Sequence, residues 1–465
     1  MSTEIVSLAV LVIVFLVATV RGVNMGALAL VAAFVVGLAV YDLEVDGVLA
    51  GFPSDLFVIL VGVTYLFALA KNNGTVDWIV HAAVRAVGGR VALVPWAMFL
   101  VCAAVTAIGA VSPAAVAIVA PVAMGFALRY RINPVMMGMM VVQGATAGSF
   151  SPIGVFGSIT NGVVDQNDLP GNQLVLFLTT FTAAATIAAI TYVAFGGRAL
   201  LARGKETETV AAMGAEAEAA SHAVMRERSA GTPHSAVEAG RTARGAGPGS
   251  GDGTGDGTGD GADAEKHTLN AQRIVTLLGL GALMVGALGF DLDVGFTALT
   301  IAVVLTLVFP DSAKGAVEKI SWGTVLLIGG IVTYVNLLQD QGVVDWLGEQ
   351  VAEVGAPLVA ALLICLIAAI VSAFASTTGI IGALIPLAVP FLLTDQVNAI
   401  GLIAALAISS SVVDCSPFST NGALVVANAD AADRELVFKR LMQWGMSIVL
   451  IAPLVAWAAL VVTTT

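Results

Sequence analysis

Apolar runs long enough to cross a membrane dominate the hydropathy pattern of this chain. They lie at 4–20, 25–41, 55–71, 91–128, 135–163 and 172–197, and again at 272–290, 294–310, 321–339, 357–394, 398–427 and 441–462. Because the hydrocarbon core of a bilayer needs about 20 apolar residues per helical span, the pattern predicts an all-α polytopic membrane protein.

A polar segment separates the two sets of apolar runs. Residues 198–271 are rich in Ala, Glu, Gly and Ser and contain the run GDGTGDGTGDGAD at 251–263. A segment of this composition cannot bury a core, so we expect it to be a disordered linker. The chain therefore divides into a first membrane repeat at 1–197, a linker at 198–271 and a second membrane repeat at 272–465.

The two sets of apolar runs repeat one another. The sequence GTVDW at 74–78 resembles GVVDW at 342–346, and each is followed by a long apolar stretch with a polar centre. An offset of 265 residues separates Pro121 from Pro386, and the same offset separates Pro152 from Pro417. Two landmarks at one offset indicate an internal repeat. The alternative is that both halves are merely rich in Ala, Val and Gly.

Two of the apolar stretches do not fit a whole number of spans. The stretches at 91–128 and 357–394 are too long for one span and too short for two spans with a turn. Each is predicted to be a re-entrant hairpin whose polar tip lies near the membrane midplane. The Ser-Pro stretches predict one discontinuous helix per half. Five transmembrane helices then remain in each half, and this odd number predicts that the two repeats are inverted.

The positive charges agree with this topology. If the N-terminus lies outside, all 20 Lys and Arg residues fall on the cytoplasmic side or at its boundary, as the positive-inside rule requires. The loops on the opposite side carry Asp and Glu. We therefore expect a multi-pass protein of the bacterial cytoplasmic membrane with both termini outside and a cytoplasmic linker.

Composition supports a membrane class and excludes several others. The chain is 58% hydrophobic and 11% charged, whereas soluble domains are about a quarter charged. Its net charge of −12 arises largely from the linker and from loops on one face, and no nucleic-acid partner is expected. Cys102, Cys365 and Cys415 lie in apolar segments and are predicted to pack as small apolar groups. No metal-ligating cluster is visible.

The predicted membrane core contains no Lys or Arg, so helix N-termini, hydroxyl or amide donors, or co-bound cations must meet any transported anion. Broken helices at equivalent places in two halves commonly mark a transporter binding site. A serine before a proline is a favourable helix start, and the positive end of a half-helix attracts anions. The candidate starts are Ser112-Pro113, Ser151-Pro152, Ser416-Pro417 and the equivalent Ser376-Thr377-Thr378. The alternative is that these residues only kink and pack helices.

Asp414 is the one carboxylate predicted near the middle of the membrane. An acid at that depth is a functional candidate, and because it would repel an anion we assign it to cation coupling, as a proton carrier or a sodium ligand. The alternative is a structural acid. Asn161 and Asn421 lie in matching Thr-Asn-Gly sequences. Gly109 and Asn161 join Asp414 as coupling candidates.

The remaining candidates are assigned to the substrate. They are Ser112, Pro113, Ser151, Ser376, Thr377, Thr378, Ser416, Thr420 and Asn421.

These motifs resemble the ion transporter superfamily, specifically the divalent anion:sodium symporters and, within them, bacterial malonate-type dicarboxylate carriers. The resemblance covers both membrane halves but not the linker. It implies two inverted repeats, each with a re-entrant hairpin and a discontinuous helix, an elevator-type movement and a homodimer. In that family Ser-Asn-Thr at the hairpin tips binds substrate carboxylate and helps to form sodium sites.

The hairpin tips of this chain depart from the family pattern. Ser376-Thr377-Thr378 matches its first and third positions and has Thr in place of Asn, and Val111-Ser112-Pro113 departs further. The sodium sites are therefore not carried over, and proton coupling through Asp414 stays open.

The resemblance and the motifs together predict a symporter rather than an enzyme. We expect import of small dicarboxylates such as malonate or succinate, coupled to sodium or protons, with a cation/proton antiporter on the same scaffold as the alternative. A membrane enzyme would need a grouping such as His-Glu-x-x-His, which the spans lack. The expected partners are the dicarboxylate, sodium or a proton, the lipid bilayer and a second copy of the chain. No cofactor is expected apart from co-transported sodium.

Overall fold

The computed structural model describes residues 3–21, 23–88, 90–167, 169–203, 269–290, 292–343, 346, 357–373, 377, 381, 385, 388–389, 392 and 397–463. Helices make up the regular structure of these ranges, which contain no β-strand. In the first half they are α1 (Thr3–Arg21), α2 (Met25–Ala39), α3 (Val45–Ala50), α4 (Ser54–Asn72), α5 (Thr75–Ala86), α6 (Val94–Ala107), α7 (Ser112–Arg129), α8 (Pro134–Ser149), α9 (Val155–Gln166), α10 (Gln173–Ala194) and α11 (Gly197–Ala202).

The second half is also helical throughout its described part. Its helices are α12 (Ala271–Gly289), α13 (Val294–Val308), α14 (Pro310–Ala313), α15 (Trp322–Asp340), α16 (Pro357–Ser372), α17 (Ala399–Ser411), α18 (Thr420–Asn428) and α19 (Arg434–Ala456). A π-helical segment, Trp457–Val462, extends α19. Short 3₁₀ turns occur at Val91–Leu93 and Val317–Lys319.

Membrane-spanning character is evident in the length and surface of these helices. Within the described ranges, five are long and apolar enough to cross a bilayer: Ser54–Asn72, Ser112–Arg129, Gln173–Ala194, Trp322–Asp340 and Arg434–Val462. The outer helices expose large apolar side chains such as Leu278, Phe296 and Leu307, which a lipid environment accommodates without cost. The predicted all-α multi-pass fold is confirmed.

The first half remains folded slightly beyond its predicted end. Residues 198–203 were expected to begin the linker, but α11 occupies this position. Leu200 is buried, and the guanidinium of Arg203 donates a hydrogen bond of 2.6 Å to the carbonyl oxygen of Tyr130. These contacts hold the short helix against the membrane domain, so residues 198–203 are ordered, and the bounds of the linker stay a prediction. The predicted disorder of 204–268 lies outside the described residues.

Glycines allow helices of the two halves to pack closely. Helix α2 packs along α15, where a Cβ on Gly26 would collide with the carbonyl oxygen of Leu326, and one on Gly330 with that of Gly26. Helix α4 packs along α13, where a Cβ on Gly62 would collide with the carbonyl oxygen of Gly295. Small residues at such crossings permit backbone approach.

The two crossings are equivalent, because each joins a helix of one half to the counterpart of its neighbour in the other half. The GTVDW and GVVDW landmarks follow α4 and α15, so α15 is the counterpart of α4, and α13 is the counterpart of α2. The pair α2–α15 is therefore repeated as α13–α4. Such an exchange is what a two-fold relation between the halves produces. The inverted orientation of the repeats stays a prediction.

Helices α6 and α7 form the first predicted hairpin. They are joined by residues 108–111, where Gly109 has φ of +106°, a conformation that glycine adopts without strain. Helix α7 is long enough to span by itself, and the re-entrant arrangement stays a prediction. Of the second hairpin, α16 is described, whereas the tip residues Ser376 and Thr378 lie outside the described residues.

Helices α8 and α17 form the centre of the molecule. All residues of α8 from Val135 to Ser149 are buried, as are all thirteen residues of α17 except the intermediate Ile400. Small residues on α8 allow the neighbouring helix to pack close enough to bury it. A Cβ on Gly144 would collide with the carbonyl oxygen of Phe99, and one on Gly148 with that of Ala103. Helix α6 therefore lies directly against α8.

We expect Gly330→Leu to destabilise the protein, because the new side chain would meet backbone atoms of α2 that cannot move aside. Overpacking of this kind costs about 1–3 kcal/mol. The measurement is the melting temperature in detergent. The matched control is Gly281→Leu in α12, where nothing lies within 4 Å of the added Cβ. Equal shifts for the two variants would contradict the proposed crossing.

Candidate functional site

Both discontinuous helices break in the same way. In the first break the carbonyl oxygen of Ser151 accepts a hydrogen bond of 2.8 Å from the Gly154 amide, and in the second that of Ser416 accepts one of 3.0 Å from the Ser419 amide. Serine followed by proline suits the first two positions of a β-turn. The Ser-Pro pairs therefore form turns, and the following half-helices begin only after them, at Val155 and Thr420.

The predicted capping role of these serines is wrong. Ser151 donates its hydroxyl hydrogen to the carbonyl oxygen of Ala107, at 2.6 Å, and so ties the first break to the end of α6. The Ser416 hydroxyl accepts from the Phe418 amide, at 3.3 Å. The proline in each pair favours a turn at the position where a helix start was expected.

Ser112 is also misassigned as a cap. Helix α7 begins at Ser112 itself, after Val111, and no side chain caps it. The one side-chain cap at these three starts is Ser419, whose hydroxyl accepts from the Gly422 amide at 3.3 Å. Sequence reasoning missed Ser419 because it lies after the Ser-Pro pair. A serine placed just before Thr-Asn-Gly was the available signal.

The matching Thr-Asn-Gly sequences of Asn161 and Asn421 do not occupy equivalent positions in the two half-helices. Asn421 is the second residue of its half-helix, whereas Asn161 is the seventh residue of α9. The true equivalents are Gly157 and Gly422, each the third residue of its half-helix. A Cβ on either would collide with the carbonyl oxygen of the preceding Ser-Pro serine. The Thr-Asn-Gly match is thus five residues out of register with the breaks.

Asn421 connects the two halves at the centre of the site. Its Nδ2 donates to the Ser112 hydroxyl oxygen at 2.7 Å and to Oδ2 of Asp414 at 2.7 Å. Both hydrogens of the amide are therefore used. Asn421 is fully buried and Ser112 is 1% exposed. The start of α7, the start of α18 and the second break consequently meet at one buried point.

Asp414 lies inside the second break, where it is 3% exposed. Its Oδ1 has no hydrogen-bond partner among the described residues, and neither has Oδ1 of Asn421. The hydroxyl group of Thr377, from the second hairpin, also lies near the Asp414 carboxyl group. Thr377 shares a hydrogen bond of 3.0 Å with Ser372. Both hairpins therefore contribute a hydroxyl group to this point.

Hydrogen bonds join the two discontinuous helices. Gln143 of α8 donates from Nε2 to the carbonyl oxygen of Val412 at 3.0 Å, and Thr146 donates to that of Ser411 at 3.4 Å. Thr146 and Ser411 are separated by 265 residues, the repeat offset. Equivalent residues therefore touch where the halves meet. The bond from Gln143 gives the Val412 carbonyl oxygen a partner at the break in the helix, whereas the Ser411 carbonyl oxygen also accepts from the Asp414 amide.

The surroundings carry almost no charge. Helices α6 to α9 and α16 to α18 contain no Lys or Arg except Arg129 at the far end of α7. The described ranges hold no group of three or more metal-ligating side chains. The unpartnered buried acceptors Oε1 of Gln143, Oδ1 of Asp414 and Oδ1 of Asn421 belong to residues at the second break. In the first half, the Nδ2 donor of Asn161 is unpartnered.

The two breaks differ in exposure. Ile153, after the first Ser-Pro pair, is fully buried against Val63 and Leu66 of α4, whereas its counterpart Phe418 is 50% exposed. A Cβ on Gly109 would collide with the Val63 side chain and come within 3.7 Å of the Ile153 carbonyl oxygen. The first break is thus closed by α4, and the second is open beside Phe418 and the exposed Thr420.

Comparisons with known proteins agree with this architecture. Residues 1–149 match the family model of the dicarboxylate carrier protein MatC N-terminus, and residues 292–463 match the model of the citrate transporter family. The structure is similar to that of the YdaH transporter from Alcanivorax borkumensis, with a TM-score of 0.56 and 14% identity over 90% of this chain and 89% of that one. No individual curated protein matches the sequence.

The two family matches lie in different halves and together include both hairpin regions and the second break, whereas the first break begins just after the end of the first match. Both matched families and the similar structure are transporters, and none is an enzyme. The predicted resemblance to carboxylate carriers is confirmed by these matches. The chain is a multi-pass secondary transporter with similarity to dicarboxylate and citrate carriers.

Proposed function

We propose that this protein imports small dicarboxylates such as malonate or succinate, coupled to the movement of sodium or protons. The observation that carries the proposal is the meeting of the α7 and α18 starts at Ser112 and Asn421, 2.7 Å apart. Both residues bear polar hydrogens at the positive ends of helices, where an anion is favoured. The similarity to MatC and citrate carriers supports a carboxylate as the substrate class.

Ser112 is suited to receive a carboxylate. Its oxygen accepts the hydrogen bond from Asn421, so its own hydrogen remains to be donated. Helices α6 to α9 and α16 to α18 contain no Lys or Arg except Arg129, so the groups that they offer to the anion are hydroxyl, amide and backbone N–H groups. Thr420 lies at the exposed side of the second break and adds a further hydroxyl. Ser151, Ser416 and Thr377 line the surrounding turns and tip.

A coupled cation compensates for the charge of the substrate. A dicarboxylate carries two negative charges into a region without basic side chains, and an uncompensated charge in the membrane is costly. We assign Asp414 as the residue that binds the coupled cation. Among the described residues, no hydrogen bond joins Asn161 to Asp414. We propose that any cation site formed by Gly109 and Asn161 is separate from Asp414.

The wider setting of the proposal follows from the charge pattern and the family resemblance. We propose a bacterial cytoplasmic membrane location with both termini outside, a cytoplasmic linker between two inverted membrane repeats, and a homodimer. The exposed apolar faces of the outer helices are available to lipid and to a second copy.

A cation/proton antiporter is the second candidate, and the buried acid with an unpartnered oxygen favours it. The two candidates differ in their ligand. If Asp414→Asn abolishes sodium/proton exchange while dicarboxylates neither bind nor stabilise the protein, the antiporter is the correct function.

Reconstituted protein should exchange labelled succinate or malonate for unlabelled dicarboxylate inside liposomes. This counterflow needs only a substrate site and alternating access, so it does not depend on the coupling ion. Imposed sodium and proton gradients then report coupling. An absence of counterflow with every di- and tricarboxylate tested would contradict the proposed function.

Ser112→Ala should raise the KM for succinate counterflow about tenfold or more, because a hydrogen bond to a charged group contributes about 1.5–3 kcal/mol. The matched control is Ser149→Ala. The Ser149 hydroxyl donates to the Ala145 carbonyl oxygen within its own helix, at 2.6 Å, so its loss should leave KM nearly unchanged. Equal effects of the two substitutions would exclude Ser112 from the substrate site.

A further inference from the structure

Coupling of a cation to dicarboxylate transport requires a cation-binding group whose occupancy changes the affinity of the protein for the dicarboxylate. The first half offers no such acid at the equivalent place. The residue that precedes Asp414 by the repeat offset is Ser149, whose hydroxyl is satisfied within α8. Any difference between the halves in cation binding therefore resides at the second break.

The burial of Asp414 in the second break favours binding of a proton by its carboxylate. Asp414 is almost fully buried, and the polar groups around its carboxyl group are neutral: the Asn421 amide, which donates to Oδ2, and the hydroxyl groups of Thr377 and Ser419. Its Oδ1 has no hydrogen-bond partner among the described residues. A buried carboxylate without a cationic partner is unfavourable, and protonation removes its charge.

The helices packed against this break place no positive charge beside Asp414. Helices α7, α8, α16, α17, α18 and α19 surround it. Their titratable or charged side chains, with that of the break itself, are Arg129, Cys365, Cys415, Arg434, Glu435, Lys439 and Arg440. Of these described groups, only Cys415 interacts electrostatically with Asp414, and a thiol supplies no positive charge.

We propose that Asp414 binds the coupling proton and that Asn421 transmits its state to the substrate site, so that one proton accompanies each dicarboxylate. This inference rests on the proposed function. An ionised Asp414 holds an Asn421 hydrogen in a charge-assisted bond and repels a carboxylate at Ser112. When the Asp414 carboxylate takes up a proton, it no longer repels the substrate, and the Asn421 amide hydrogen becomes available to the substrate carboxylate.

The pH dependence of succinate binding has a defined direction. Binding of the anion and binding of the proton favour each other, and this linkage is reciprocal. Where Asp414 is ionised in the free protein, the Kd for succinate should rise about tenfold for each unit of increasing pH. Asp414→Asn resembles the protonated acid in shape and charge, so its affinity should not change with pH.

The experiment uses the full-length protein in proteoliposomes. We measure succinate counterflow and succinate accumulation driven by an imposed pH gradient, without sodium, for wild type, Asp414→Asn and the control Ser149→Ala. Asp414→Asn should keep at least about a tenth of wild-type counterflow but lose accumulation. Ser149→Ala should retain both. Binding of succinate by the wild type between about pH 7 and pH 9, where its carboxyl groups are ionised, provides a test that needs no variant.

Three results would overturn the inference. The first is accumulation of succinate by Asp414→Asn in response to the pH gradient. The second is wild-type accumulation that needs a sodium gradient and does not depend on pH. The third is a wild-type affinity for succinate that is constant between about pH 7 and pH 9. Each leaves the proposed function intact, because counterflow persists. Loss of wild-type counterflow itself would overturn both, and this pattern distinguishes the two failures.

Discussion

A helix that is broken within a membrane must find partners in the protein for the backbone groups it frees, because hydrocarbon supplies none. This constraint explains why the two breaks lie against each other and against the hairpins. The Ala107 carbonyl oxygen accepts from Ser151, and the Val412 carbonyl oxygen accepts from Gln143. The polar centre is thus held by the same hydrogen bonds that make the breaks possible.

The close packing of the helices follows from the same requirement. Glycine at the crossings of the two halves lets backbones touch, and the almost fully buried α8 and α17 carry mainly small or flexible side chains. With so little room for long polar groups, the centre has few charges. Asp414 is therefore exceptional, and the hydrogen bond from Asn421 connects its side chain through Ser112 to the first hairpin.

Much of this arrangement was predictable from the sequence, because hydropathy and a constant offset report long, periodic features. The helices and the positions of the breaks were anticipated in this way, and the role of Asp414 stays a prediction. The helix caps were not, since Ser-Pro favours both a turn and a helix start, and only three-dimensional structure distinguishes them. The matching Thr-Asn-Gly sequences did not mark equivalent residues, because this three-residue match is out of register with the breaks. The bridge from Asn421 to Ser112 spans 309 residues, and no local pattern reports such a contact.

The asymmetry of the breaks bears on access to the site. The first is sealed by α4, whereas Phe418 and Thr420 of the second are exposed. The most direct test is a structure of the protein determined in lipid with saturating succinate. Our account predicts a carboxylate within hydrogen-bonding distance of both Ser112 and Asn421. Succinate bound away from these two residues would contradict it.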